Sequence, residues 1–174
     1  REPHLSIEGD VVQAYFDPDE VMTIHCKSQS LYWNQGDVAQ AIGLPSEKVR
    51  LVMNPSGGSF GWSITATSFS LAGVAAMATD MPVSLSMSYE EFMHFSGKRA
   101  SSYSNARLAC DENGKIIAGE FDLGIDHGAY SEMGNDLANK AIRFLLFPYS
   151  VPDVKVLARV AYTNHAFGTA YRGY

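Results

Sequence analysis

Cysteine is scarce in this 174-residue sequence, which holds only Cys26 and Cys110. The two fall in different strand-like runs at no metal-ligand spacing, so each is expected to be a reduced, buried structural thiol. Basic residues are also short, with 13 Lys and Arg against 19 Asp and Glu for a formal net charge of −6. A nucleic-acid backbone or an anionic membrane needs clustered cations, and the absence of such a cluster argues against either as the main partner. Long apolar runs are missing too. Leu71 to Ala78 and Phe144 to Phe147 fall far short of the roughly 20 residues that cross a bilayer, so no membrane span is expected. The opening Arg1-Glu2-Pro3-His4 has neither an initiator Met nor the basic-then-apolar order of a secretory signal, and the sequence stops at Arg172-Gly173-Tyr174 without a tail. The expectation is a piece of a longer polypeptide.

What is present describes a globular fold: 46% apolar and 18% charged residues, with no repeats and no low-complexity linker. Short β-rich runs predict strands near 4–8, 11–16 and 21–26, separated by Glu8-Gly9-Asp10 and Asp17-Pro18-Asp19. Leu31, Val38, Ala41, Ile42 and Leu44 predict a helix over about 30–43, capped by Ser30 and stopped by Gly43 and Pro45. A strand over 49–53 leads into the glycine-rich loop from Asn54 to Gly61. A buried helix over 68–79, a strand over 82–87 and a short helix over 89–95 follow. Strands 101–110 and 115–126 flank Asp111-Glu112-Asn113-Gly114, where Asn-Gly signals a hairpin. A helix from Ser131 to about Phe144 and a strand over 154–161 complete the pattern. The class is α+β, mixed sheets with packed helices and no regular βαβ alternation.

The loop Gly57-Gly58-Ser59-Phe60-Gly61 is the first candidate for chemistry, because glycine lets backbone N–H groups approach an anion or polar heteroatom closely. It is neither a phosphate loop nor a dinucleotide fingerprint, and taken alone a tight turn explains it equally well. His127 and His165 do not form a metal-ligand set and are expected to be hydrogen-bonded structural residues. Glu90-Glu91 reads as a solvated helix face.

Order along the chain adds more. Lys27-Ser28-Gln29, Gln35 through Gly43-Leu44-Pro45 and Lys48-Val49, Gly57-Gly58-Ser59-Phe60-Gly61, Asp126-His127-Gly128-Ala129-Tyr130, Thr163-Asn164, and Thr169-Ala170-Tyr171-Arg172-Gly173-Tyr174 together resemble the molybdenum hydroxylases, the aldehyde oxidase and xanthine dehydrogenase superfamily. The likeness is strongest to bacterial aldehyde oxidoreductase and covers nearly the whole chain. The resemblance implies that residues 1–174 are part of a molybdopterin-binding domain that cradles molybdenum–molybdopterin, as its cytosine dinucleotide form. It implies that Gln29, Gly58, Ser59, Phe60, Gly61 and Arg172 border the cofactor. Ile64 and Tyr174 would line the substrate pocket, with Lys140 loosely matching a substrate-contacting arginine of purine oxidisers. No direct protein ligand to the metal is implied, since the pterin dithiolene holds it.

In such enzymes a glutamate late in the polypeptide acts as general base, and nothing in this sequence matches it, so no catalytic residue is expected here and the isolated piece is expected to be inactive. Ile64 stands where purine oxidisers carry a glutamate, which disfavours xanthine. Gly173 stands where carbon monoxide dehydrogenases carry a cysteine, which disfavours that reaction. The expected activity of the assembled enzyme is oxidation of an aldehyde or N-heteroaromatic carbon with water as oxygen source. The resemblance further implies a cytoplasmic enzyme, with the rest of the molybdenum subunit, an iron–sulfur module and often an FAD-bearing flavin module as partners. None of the cysteine motifs of those modules occurs here. Trp62-Ser63 depart from the commoner loop continuation, and a non-catalytic structural homologue that binds no molybdenum is the alternative.

Overall fold

The computed structural model describes residues 2–173. It is α+β, as the pattern predicts, and divides into two compact units: residues Pro3–Ser96, and Glu2 with residues 97–173. Tyr174 lies outside the described residues.

The first unit is a four-stranded sheet in the order β3-β2-β1-β4, made of β1 Val11–Phe16, β2 Met22–Cys26, β3 Val49–Met53 and β4 Val83–Ser86. β1 runs antiparallel to β2 and β4, and β2 runs parallel to β3. A parallel neighbour needs a crossover, and α1, Leu31–Ile42, provides it. The helix starts after Ser30 and stops at Gly43, which takes a left-handed φ of 75°, both as expected. Met22, Ile24 and Cys26 join Val12 and Ala14 in a core completed by Val38 and Ile42 of α1 and by Phe69, Ala72 and Ala76 of α2, Thr67–Thr79. The small residues of α2 bury one face, whereas Leu71, Val74 and Met77 are exposed, so the helix is half-buried where its composition predicts burial. The short helix α3, Tyr89–Phe95, begins in a capping box of Ser88 and Glu91 and sends Phe92 into the interior.

The strand expected near 4–8 does not form. His4 and Ser6 point inward, Leu5 and Ile7 point out, and Ser6 folds its hydroxyl onto the Glu8 carbonyl. The carbonyls of Glu8 and Gly9 bond to the Lys27 ammonium, so side-chain bonding replaces a ladder.

In the second unit, β6 Ser101–Cys110 and β7 Ile116–Gly128 form the expected hairpin. Its turn is held by Asp111 Oδ1, which accepts from the N–H groups of Asn113 and Lys115. Strand β8, Asp153–Tyr162, pairs parallel to β7, and the crossover carries α4, Gly134–Phe144. Its N-cap is Met133 rather than the expected Ser131, and Ser131 accepts the Gly134 N–H from outside the helix. Phe121, Leu123, Ile125 and His127 face inward from alternate positions of β7, while Glu120 and Asp122 pair with Lys155 and Arg159 of β8. Two short parallel strands, β5 Lys98–Arg99 and β9 Gly168–Thr169, complete the unit.

Cys26 is buried as expected, and burial, with Asp10 nearby, pushes its thiol pKa up to about 12. Cys110 is exposed, contrary to expectation, because β6 is open to solvent along its whole length. Among the described residues no helix is long and apolar enough to cross a membrane.

Candidate functional site

Strand β3 ends at Met53 and delivers the chain into the glycine-rich loop, where Gly58, Phe60 and Gly61 all have positive φ, 140°, 52° and 114°. Phe60 is a side-chain-bearing residue in a region that glycine favours, so the surroundings must impose its conformation. Ser59 does part of this. Its hydroxyl accepts the Ser63 N–H at 2.7 Å and donates to Gln29 Oε1 at 3.3 Å. The Gln29 N–H in turn donates to the Ser63 carbonyl at 2.9 Å. Asn34, buried in α1, bonds Ser28 Oγ and the Ile64 carbonyl, each at 2.6 Å. The start of α1 and the far side of the loop are thereby one hydrogen-bonded unit.

These contacts leave a defined set of open donors. Gln29 is exposed, and with Oε1 occupied by Ser59 its Nε2 is the end without a partner among the described residues. Phe60 is half-exposed and Gly61 is buried, and among the described residues neither N–H has a protein acceptor. A buried backbone donor without an acceptor is uncommon in a folded protein. Two main-chain donors and one carboxamide donor, with no carboxylate left unpaired beside them, suit a ligand rich in heteroatom acceptors such as a pterin.

Sequence patterning does not single out three residues that hold this loop. Lys27 is 3% exposed and donates to the carbonyls of Glu8 at 3.1 Å, Gly9 at 2.8 Å and Gly58 at 3.1 Å. Burial lowers its pKa, offset in part by Glu8 and Asp10. Glu8 Oε2 accepts the Gly57 N–H. Asp10 is fully buried and accepts from Trp62 Nε1 at 2.8 Å. The signals for Lys27 are its place in the Lys27-Ser28-Gln29 motif and its position as a cation directly after the buried Cys26 that ends β2.

Trp62 and Ser63, the departures from the usual loop, turn inward. Trp62 is 2% exposed and lies edge-on to Phe92 and Phe95, with ring centroids 6.1 and 6.0 Å away. Ile64, expected in a substrate pocket, is buried in the same short turn.

The second unit carries the other candidates. Ala170 is buried, Tyr171 half-buried and Arg172 exposed. The cation stacked on an aromatic here is Arg99, whose guanidinium sits 3.9 Å from the Tyr171 ring centroid and donates to the Arg172 carbonyl at 3.4 Å. The Arg172 guanidinium itself has no partner among the described residues. Lys140, Arg99, Tyr103, Ile125, Phe144 and Tyr171 help wall a cavity of about 510 Å³. His127 is buried, with Nδ1 bonded to the Tyr130 carbonyl, and His165 bonds Asp126 through Nδ1 at 2.7 Å, both structural contacts of the expected kind. No cluster of His, Cys, Asp and Glu able to hold a metal occurs among the described residues.

Comparison with known proteins agrees with this geometry. The chain is 39% identical over its full length to the aldehyde oxidoreductase of Megalodesulfovibrio gigas, and it spans 19% of that relative. It is 29% identical, again over its full length, to the nicotinate dehydrogenase large molybdopterin subunit of Eubacterium barkeri, spanning 41% of it. Superposition on the solved aldehyde oxidoreductase of Desulfovibrio gigas gives a TM-score of 0.95 over the whole chain and 19% of that structure. The chain thus spans a minor part of the relatives it matches. The family model for the molybdopterin cofactor-binding domain matches residues 1–174, and the chain belongs to that family.

Proposed function

We propose that this chain is the cofactor-cradling portion of a molybdenum-dependent hydroxylase that oxidises an aldehyde or an N-heteroaromatic carbon, taking the oxygen from water. The observation that carries the reading is the glycine loop, whose Phe60 and Gly61 N–H groups lack protein acceptors among the described residues, in a chain 39% identical throughout to an aldehyde oxidoreductase. Gln29, Gly58, Ser59, Phe60, Gly61 and Arg172 are the residues we assign to the pterin. Ile64 and Tyr174 are assigned to the substrate side, where an apolar Ile64 offers nothing to a purine nitrogen.

When bound, molybdopterin supplies the two-electron redox centre and the oxygen-transferring metal. The chain's own residues would orient it. Gln29 would offer an amide donor to an acceptor atom of the cofactor, and the loop amides would offer preset dipoles that need no reorganisation. Arg172 would offer a cation to the anionic cofactor. The cytosine dinucleotide form, iron–sulfur and flavin modules in the remainder of the polypeptide or in partner subunits, and a cytoplasmic location complete the proposal. The structural-homologue reading rested on Trp62 and Ser63. Both are buried and tie the loop down, Trp62 through Asp10 and Ser63 through Ser59 Oγ, so packing accounts for their departure from the usual loop without loss of the open amides.

The test is the molybdenum and pterin content of the full-length protein purified without oxygen, followed by a panel of aldehydes and N-heterocycles. Molybdenum near one per chain is expected, with aldehyde turnover. A correctly assembled protein devoid of molybdenum would overturn the reading.

A further inference from the structure

All three ammonium protons of Lys27 go to main-chain carbonyls, those of Glu8, Gly9 and Gly58. Its nearest recorded carboxylate oxygen, Glu8 Oε2, is 3.9 Å away, beyond hydrogen-bond distance. A buried cation satisfied by neutral acceptors is a costly way to fill space, and an apolar side chain of the same length often does so with no loss of stability. What an apolar side chain cannot do is grip the Gly58 carbonyl. Glu8 complements the grip, since its carboxylate accepts the N–H of Gly57, one residue earlier. Two successive loop residues are thus held by a cation on a carbonyl and an anion on an amide, and only Ser59 separates them from the two residues whose N–H groups are open. The Lys27 ammonium also lies 5.8 Å from the Phe92 ring centroid, and Phe92 packs on Trp62, which continues the loop on its other side.

Building on the cofactor-binding reading, we infer that Lys27 is a positioning residue. With Glu8 it clasps Gly57 and Gly58, so that the Phe60 and Gly61 amides are held ready for the pterin before it arrives. It touches no reacting atom and serves to set the loop for cofactor uptake. Pre-ordering of this kind removes from binding the entropy that a mobile glycine loop would lose on capture.

The experiment uses the full-length protein and two variants, Lys27→Met, whose chain keeps the length and apolar contact, and Glu8→Ala, at the more exposed end of the clasp. Two quantities are read: molybdenum and pterin per chain, and amide hydrogen exchange of the cofactor-free form at the bonded loop amides, those of Gly57, Trp62, Ser63 and Ile64, against β1 and β2. In Lys27→Met, exchange at these loop amides is expected to rise on the order of tenfold, the effect of losing a charge-assisted hydrogen bond. The two strands should keep their protection, and cofactor content should fall several-fold. Glu8→Ala should move both readings the same way by less, and it decides the question if Lys27→Met does not fold. Exchange rising equally across 3–96 would mean a general folding role and overturn the inference. Unchanged loop exchange, or a loosened loop with full cofactor content, would overturn it too. A wild-type protein that never contains pterin sinks the proposed function instead, and the exchange measurement still decides whether the clasp exists.

Discussion

Single residues set the candidate site, and two of them give predictions that follow from backbone and burial alone. Gly61 has a φ of 114°, and any L side chain there is strained by at least about 1–2 kcal/mol. Gly61→Ala should therefore displace the amides of the loop, and the full-length variant should bind less molybdenum and pterin than the wild type while its far-ultraviolet circular dichroism is unchanged. Retention of full cofactor content would show that the loop tolerates another conformation. The two thiols should behave oppositely. Cys110 is exposed and should react with a thiol reagent in the native protein, whereas Cys26 should react only after unfolding. Burial raises the pKa of Cys26 from 9.0 to about 12, so above pH 9 the unfolded chain loses this proton while the folded one keeps it. The stability linked to the neutral thiol is fully present below pH 9 and is lost as pH rises toward 12. The urea midpoint of the wild type should accordingly fall more steeply over that window than that of Cys26→Ala. At this scale the glycines of the Gly57–Gly61 loop made its unusual backbone legible, because glycine spacing reports backbone conformation directly, whereas Gln29 was named through the family resemblance alone. Lys27, Glu8 and Asp10 were illegible, since a charged residue is ordinarily solvated, and only the fold shows that these three meet around Gly57, Gly58 and Trp62.

At the scale of elements, periodicity and caps located most helices and strands. Ser30 and Gly43 bracket α1, and Asn113-Gly114 sits in the β6–β7 turn with Gly114 at a φ of 80°. The misses have physical causes. Residues 4–8 alternate as a strand would, but the carbonyls of Glu8 and Gly9 at the segment's end accept from the Lys27 ammonium just after β2, and a side-chain partner is invisible to a period-two pattern. The half-exposure of α2 was hidden because apolar residues occur all round the helix, leaving no stripe to read. The parallel pairing of β7 with β8 depends on contacts distant in sequence and had no local signal. Helix α3 offers a test of a local signal that was readable. Its capping box satisfies the Glu91 N–H with Ser88 Oγ and the Ser88 N–H with Glu91, and the helix presents Phe92 to Trp62. Ser88→Ala should cost about 1 kcal/mol in denaturant unfolding, with a smaller loss for Glu91→Gln, which keeps an acceptor for the Ser88 N–H. Equal stability of Ser88→Ala and wild type would mean that the packing of Phe92 alone defines the helix.

For the chain taken as a whole, the acidic groups around the glycine loop are already committed. Glu8 accepts from Gly57 and faces Lys27, and Asp10 is buried against the Trp62 indole. Neither is available to take a proton from a nucleophile beside the loop, and geometry within hydrogen-bond reach is the first requirement of a general base. The 174-residue chain by itself should therefore show no aldehyde oxidation with an artificial electron acceptor, even after incubation with cofactor. Reproducible turnover would mean that a base exists within these residues and would require a new search for it. The same chain should not remain monomeric. Tyr32 is 90% and Trp33 69% exposed on α1, while Tyr103, Leu108, Val154 and Leu157 are about half-exposed along β6 and β8. Apolar groups on unpaired strand edges and helix faces favour association. Sedimentation velocity over rising protein concentration should show a sedimentation coefficient that increases, and substituting Tyr32 and Trp33 by Ser and Leu108 and Leu157 by Lys should bring it back toward the monomer value. A wild-type chain that stays monomeric at all concentrations would mean that these side chains are adequately solvated where they stand, and that their exposure carries no drive to associate.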